Sequence, residues 1–159
     1  MLITIAAIGK LKAGPERELF ARFIERASSA GRNVGLTFAV REFPEGRPTT
    51  GPLRKDQEAT ALIDSLSPGT VLVALDEAGK NFDSRTFAER LGRWRDSGTA
   101  ELTLAIGGAD GHGAKLLEKS ALRLAFGSMT WPHQLVRVML AEQLYRTVTI
   151  LSGHPYHRD

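Results

Sequence analysis

Apolar positions along the chain follow two spacings. Residues 1–8 (MLITIAAI), 36–40, 70–75 (TVLVAL), 102–106 and 122–126 form short, mostly continuous apolar runs bounded by turn-forming or polar residues. Runs of that length and composition predict buried strands. Helical spacing fills the stretches between them. Gly14-Pro15 opens the first helix, and Glu16 and Glu18 stand in its first turn, where the helix dipole favours acids. Its apolar face is Leu19, Phe20, Phe23, Ile24 and Ala27. Residues 52–66 place Ala59, Leu62, Ile63 and Leu66 on one side of a second helix. Ser84 is the expected cap of a third, with Phe87, Leu91 and Trp94 at i, i+4 and i+7. Residues 114–120 predict a short helix. Pro132 takes the first position of a last helix that runs to about residue 151. Residues 43–52, with three prolines and two glycines, read as loop.

Strands that are apolar on both faces and alternate with helices specify an α/β fold, a mostly parallel sheet with helices on both faces. No linker, repeat or low-complexity tract divides the 159 residues, so residues 1–159 read as one domain. The absence of cysteine excludes disulfides and thiolate metal sites and suits a reducing cytoplasm. No basic stretch precedes the first apolar run, which therefore reads as a strand and not a signal peptide. No run approaches the roughly 20 apolar residues of a membrane span, so no membrane partner is expected. A net charge of +3 is a mild lean toward an anionic partner.

Ligands of open parallel sheets bind at the carboxyl ends of strands. Three such ends carry polar or glycine-rich sequence: residues 75–80 (LDEAGK), 107–111 (GGADG) and 126–131 (FGSMTW). The glycine stretch lacks the Gly-Lys-Ser/Thr end of a phosphate loop and the G-x-G-x-x-G spacing of a dinucleotide turn. It is either a tight turn or a place where backbone approaches a ligand. His133, His154 and His157 fall within the last 27 residues. His154-x-x-His157 has only Asp159 near it as a third metal ligand, so no metal is expected, and proton transfer or hydrogen bonding suits an imidazole there better. In the last helix Val136, Leu140, Leu144, Val148 and Leu151 form one apolar arc, and Leu135, Met139 and Ile150 an adjoining strip, which suggests burial against both the sheet and another subunit. Arg137 lies inside the main arc and must be ion-paired or serve a site. Arg146 follows Glu142 by one turn, the spacing of a helix ion pair. Arg85, Arg90 and Arg93 on the third helix read as a solvated face or an RNA-facing patch.

Taken together, Leu75-Asp76, Gly79-Lys80, the segment IGGADG at 106–111, MTWPHQLVRV at 129–138, EQLYR at 142–146 and PYHR at 155–158 closely resemble the RlmH family of the SPOUT methyltransferase superfamily. The resemblance covers essentially the whole chain. It implies a homodimer with a deep C-terminal trefoil knot, a feature that general connection rules disfavour. It implies methylation of N3 of a pseudouridine in large-subunit (23S) rRNA on the assembled ribosome, with S-adenosylmethionine (SAM) as cofactor. Carried over by position, the SAM pocket is Leu75, Gly107, Phe126, Gly127, Ser128, Met129, Thr130 and Trp131. The family often has serine where this chain has Gly127. His157 is the expected general base, with Tyr156 orienting or stacking and Arg146 or Arg137 stabilising the developing anion. His133, Arg137 and Arg158 are the expected substrate contacts. Competing readings are a SPOUT methyltransferase for tRNA or another rRNA site, a non-catalytic ribosome-binding factor, and a flavodoxin-like binding module.

Overall fold

A computed structural model of the chain describes residues 1–47 and 50–157. Five strands, β1 (Leu2–Ile8), β2 (Thr37–Phe43), β3 (Val71–Asn81), β4 (Glu101–Ile106) and β5 (Leu122–Ala125), form one sheet in the order β2-β1-β4-β3-β5. Every ladder is parallel. Because side chains alternate along a strand, each strand feeds two cores. Ile3, Ile5, Val73, Leu102 and Leu104 face α1 (Pro15–Gly31), α3 (Ser84–Asp96) and α5 (His133–Leu151). Ala6, Ile8, Leu72, Ala74 and Ala105 face α2 (Gly51–Asp64) and α4 (Ala114–Lys119). The expected α/β architecture, with helices on both faces, is the one observed.

Several boundaries differ from expectation, four of them for a clear local reason. β3 continues past Leu75 to Asn81, with a register slip between Leu75 and Lys80 that lets residues 76–79 bulge from the ladder. Gly79 makes this possible, since a Cβ there would stand 2.7 Å from the Arg123 backbone. β2 reaches Phe43, which pairs with Ile8. Asp83, not Ser84, caps α3: its carboxylate accepts from the Thr86 amide at 2.6 Å. Ser84 instead donates to Gln143 of α5 at 2.8 Å. Pro132 stands just outside α5 as its N-cap.

α5 packs on α1, α3 and β4, with Val138, Leu140, Ala141, Leu144 and Val148 buried. Its second strip is less covered, and Leu135 is 40% exposed. Among the described residues no helix is long and apolar enough to cross a membrane.

Candidate functional site

The carboxyl ends of β3, β4 and β5 meet at a cleft of about 730 Å³. Its walls are Leu75–Ala78 from the β3 bulge, Ile106–His112 from the loop after β4, and Leu124–Gly127 with Met129, Thr130 and Trp131 around and after β5. Lys55, Leu117, Arg123, His133 and Val136 complete them. Three chain-distant loops thus converge because their strands are neighbours in the sheet.

The loop after β4 is a tight turn. Gly111 has φ +79° and its amide donates to the Gly108 carbonyl at 3.0 Å. A Cβ on Gly107 would lie 2.9 Å from the Gly111 carbonyl carbon, so the backbone itself requires glycine. The turn is fastened to α2. Asp110 pairs with Arg54 at 3.2 Å. Glu58, buried to 4% exposure, accepts from the Gly46 amide at 2.8 Å and abuts Gly108, where a Cβ would come within 2.9 Å of its carboxylate. Gly113 lies against the Lys55 carbonyl, 2.8 Å from an added Cβ.

The loop after β5 is held by β3 and by its own backbone. The Gly127 amide donates to Asn81 Oδ1 at 2.8 Å, Thr130 Oγ1 donates to Glu77 at 3.1 Å, and Trp131 Nε1 donates to the Phe126 carbonyl at 3.0 Å. Gly127 has φ +98°, which suits glycine at this position where the family often has serine. Of the residues expected to hold the cofactor, Leu75, Gly107, Phe126, Gly127, Met129, Thr130 and Trp131 line the cleft; Ser128 lies exposed on the same loop. His133, an expected substrate contact, also lines it.

His112 had no assigned role in the sequence, although it directly follows the glycine turn. It is half-buried in the cleft wall, with Nε2 3.2 Å from the Ala105 carbonyl. Desolvation holds its imidazole below the usual histidine range, against the opposing pull of the Ala105 carbonyl and the Asp76 charge. Lys55 was also missed. No local signal joins it to a turn some 50 residues later in the chain; only the packing of α2 does.

The tail forms a second cluster, folded back on α5. Tyr156 OH donates to Glu142 at 3.1 Å, and its ring lies 4.7 Å from the Tyr145 ring. Arg146 donates from Nε to Glu142 at 3.1 Å, and its guanidinium lies 5.0 Å from the centre of the Tyr156 ring. Arg146 Nη1 donates to His157 Nδ1 at 3.3 Å. The bond to Glu142 raises the arginine above its ordinary range, so it stays charged. Burial, then the neighbouring carboxylate, raises the Tyr156 phenol, so it stays a donor. None of Arg146, Tyr156 and His157 lines the cleft of its own chain. Arg158 lies outside the described residues.

Arg137 is 2% exposed and serves the structure. Nη1 donates to Glu42 at 2.8 Å, and Nη2 donates to the carbonyls of Ile8 and Gly9 at 2.6 and 2.8 Å. It is not a cleft residue. Of its two sequence readings, the ion pair is the one observed, because three acceptors at the end of β1 and in β2 take its donors. On α3, Arg90 lies 5.7 Å from the ring centres of Trp94 on the same helix and of Phe82 just before it, so its guanidinium covers those rings. Among the described residues no group of three or more His, Cys, Asp or Glu is placed to hold a metal ion.

Residues 1–157 match the family model described as predicted SPOUT methyltransferase. A protein of Rhizobium etli is 54% identical over 159 residues, 99% of each chain. Proteins of Brucella anthropi and Methylocella silvestris are 52% and 54% identical over 160 residues, the full length of both chains. All three are named ribosomal RNA large subunit methyltransferase H. The SpoU methyltransferase AviRb of Streptomyces viridochromogenes, solved with AdoMet, superposes with a TM-score of 0.40 at 13% identity, over 92% of this chain and 59% of that one.

Proposed function

The chain belongs to the SPOUT methyltransferase family, and from that premise we propose that it methylates N3 of a pseudouridine in large-subunit (23S) rRNA on the assembled ribosome, using SAM. The observation that carries the reading is the convergence of the three strand-end loops on one cleft. The residues there fit SAM. Leu75, Ile106, Phe126 and Val136 offer apolar wall, the Gly107–Gly108 turn offers bare backbone, and no phosphate-binding lysine–serine pair is present, as suits a cofactor without phosphates. Leu75, Gly107 and the loop 126–131 would hold it. When bound, SAM supplies an electrophilic methyl group.

The chain's own contribution is largely positioning, which can supply at most roughly 7–11 kcal/mol. Pseudouridine N3 must lose its proton as it is methylated, so polar side chains must face the base. Arg146, Tyr156 and His157 are suited to that, yet they sit about 20 Å along α5 from His133 at 1.5 Å per residue. We therefore read the enzyme as a homodimer in which the tail of one copy completes the cleft of the other. Met129, Trp131 and Leu135, 71%, 40% and 40% exposed at the cleft mouth and the start of α5, support an apolar contact there. The strand order β4-β3-β5, with the loops after β4 and β5 lining one cleft, is compatible with a C-terminal trefoil knot, which we include in the reading. Cytoplasmic location follows from the ribosomal substrate.

Complementation tests this. Mixing a cleft variant, Gly107→Ala, with a tail variant, His157→Ala, should restore about one quarter of wild-type methylation of ribosomes, because half the dimers are mixed and each holds one intact composite site. No recovery, with mixed dimers verified by mass, refutes the shared site. Labelled methyl appearing in tRNA but not in 50S-containing ribosomes refutes the substrate.

A further inference from the structure

One carboxylate on α5 gathers the side chains of the tail. Glu142 accepts from Tyr156 OH, from Arg146 at Nε and Nη2, and from Gln143 Nε2 at 2.9 Å. An exposed i,i+4 Glu–Arg pair would be only a weak surface contact of the helix. Here the pair is largely shielded, at 19% and 25% exposure, and it orients a third group. With Nε and Nη2 held by Glu142, the remaining edge of the guanidinium points Nη1 at His157 Nδ1.

A guanidinium only donates hydrogen bonds. Nδ1 of His157 must therefore accept, and a neutral imidazole in that position carries its proton on Nε2. We propose that Glu142 is a positioning residue that, through Arg146, fixes His157 as the Nε2–H tautomer, so that the imidazole acts toward the RNA base as a hydrogen-bond donor and not as the general base. This rests on the reading that the tail meets the base, and it replaces the role the sequence suggested for His157. The chemistry is consistent. When N3 of the pseudouridine releases its proton to solvent, negative charge spreads onto the flanking carbonyl oxygens. A fixed neutral N–H stabilises such an oxyanion without needing to change protonation state.

The test has a structural and a kinetic arm. In histidine-¹⁵N-labelled full-length protein, His157 is assigned by comparison with His157→Gln, and long-range ¹H–¹⁵N spectra report which ring nitrogen is protonated. The expected result is a protonated Nε2 and bare Nδ1 near pH 7.5, turning to a mixture in Glu142→Gln and in Arg146→Met. A protonated Nδ1 in the wild type, or an unchanged tautomer in both variants, overturns the proposal.

In ribosome methylation, Glu142→Gln should lower kcat by about 10- to 100-fold, as displacing an acting group by an ångström does. The calorimetric Kd for SAM should stay unchanged. A purely structural role for Glu142 would instead shift SAM binding and Tm together. His157→Gln, which can still donate, should exceed both His157→Ala and His157→Glu in kcat. If His157→Glu is the most active of the three, the residue is a base and the proposal fails. If the wild type methylates no ribosomal RNA, the functional reading fails while the tautomer result stands or falls by itself.

Discussion

Replacing Arg137 with methionine separates structure from catalysis. The substitution keeps the hydrophobic stem but removes three charge-assisted hydrogen bonds, to Glu42 and to the carbonyls of Ile8 and Gly9. Such bonds contribute about 1.5–3 kcal/mol each on balance. They share one guanidinium, so they do not add, and breaking a buried ion pair costs about 3–5 kcal/mol in total. Two features pull the value down. Glu42 is 31% exposed, and its carboxylate keeps a bond from the Leu11 amide at 2.7 Å. About 3 kcal/mol is therefore expected, or a fall in Tm of roughly 6–12 °C for a chain of this size. Urea denaturation at fixed protomer concentration measures it, because dimerisation makes the midpoint concentration-dependent. At 15 °C, where the variant remains folded, SAM binding and methylation should be close to wild type. A loss under 1 kcal/mol would refute the estimate. A folded variant with kcat reduced a hundredfold would return Arg137 to the substrate.

Gly107→Ala should raise the calorimetric Kd for SAM by tenfold or more, at least about 1.4 kcal/mol, while circular dichroism stays native, since the clash is confined to the Gly108–Gly111 turn. Unchanged affinity would remove the turn from the pocket. His112 has a folded pKa below its unfolded value, so its contribution to stability is present above the usual histidine range and is lost as pH falls through the lowered folded pKa. Between pH 7 and 5, His112→Gln should therefore lose less stability than wild type; parallel curves would contradict the desolvation account. Leu135→Asp with Met129→Asp should yield a folded monomer by sedimentation and abolish methylation, and a dimer of wild-type affinity would place the interface elsewhere.

The strands were legible because parallel strands buried on two faces must be continuous apolar runs, as 70–75 and 102–106 are. The second half of β3 was not, because Asp76, Glu77 and Lys80 are polar and a bulge breaks the period. Asp83 and Ser84 are both cap-forming types. Only the bond from Ser84 to Gln143, 59 residues away, decides between them. The position of Arg137 in an apolar arc marked it as special, but its partners lie 95 to 129 residues earlier and carry no local signature. In the site, the strand-end rule pointed to all three loops of the cleft. His112 and Lys55 enter it through the fastening of the glycine turn to α2. The ordering of the tail on Glu142 follows from side-chain chemistry across a helix turn, which periodicity does not register.

α5 carries the cleft residues His133 and Val136 at one end and the tail's anchor, Glu142 and Arg146, further along the same rod. An α-helix advances about 1.5 Å and turns about 100° per residue. Distance and angular phase between the two groups are thus set by residue count alone. One inserted residue between Val136 and Glu142 would swing the anchor a quarter-turn off its face and bury Arg146 or strand it in solvent. An insertion of seven residues would nearly restore the phase but carry the tail about 10 Å too far. Apolar-for-apolar substitutions at Val138, Leu140 or Ala141 can be absorbed by repacking, but changes in the length of this segment cannot. Length variation among functional descendants of this chain should therefore collect in the loops before α2 and after α3, and be absent from residues 133–146.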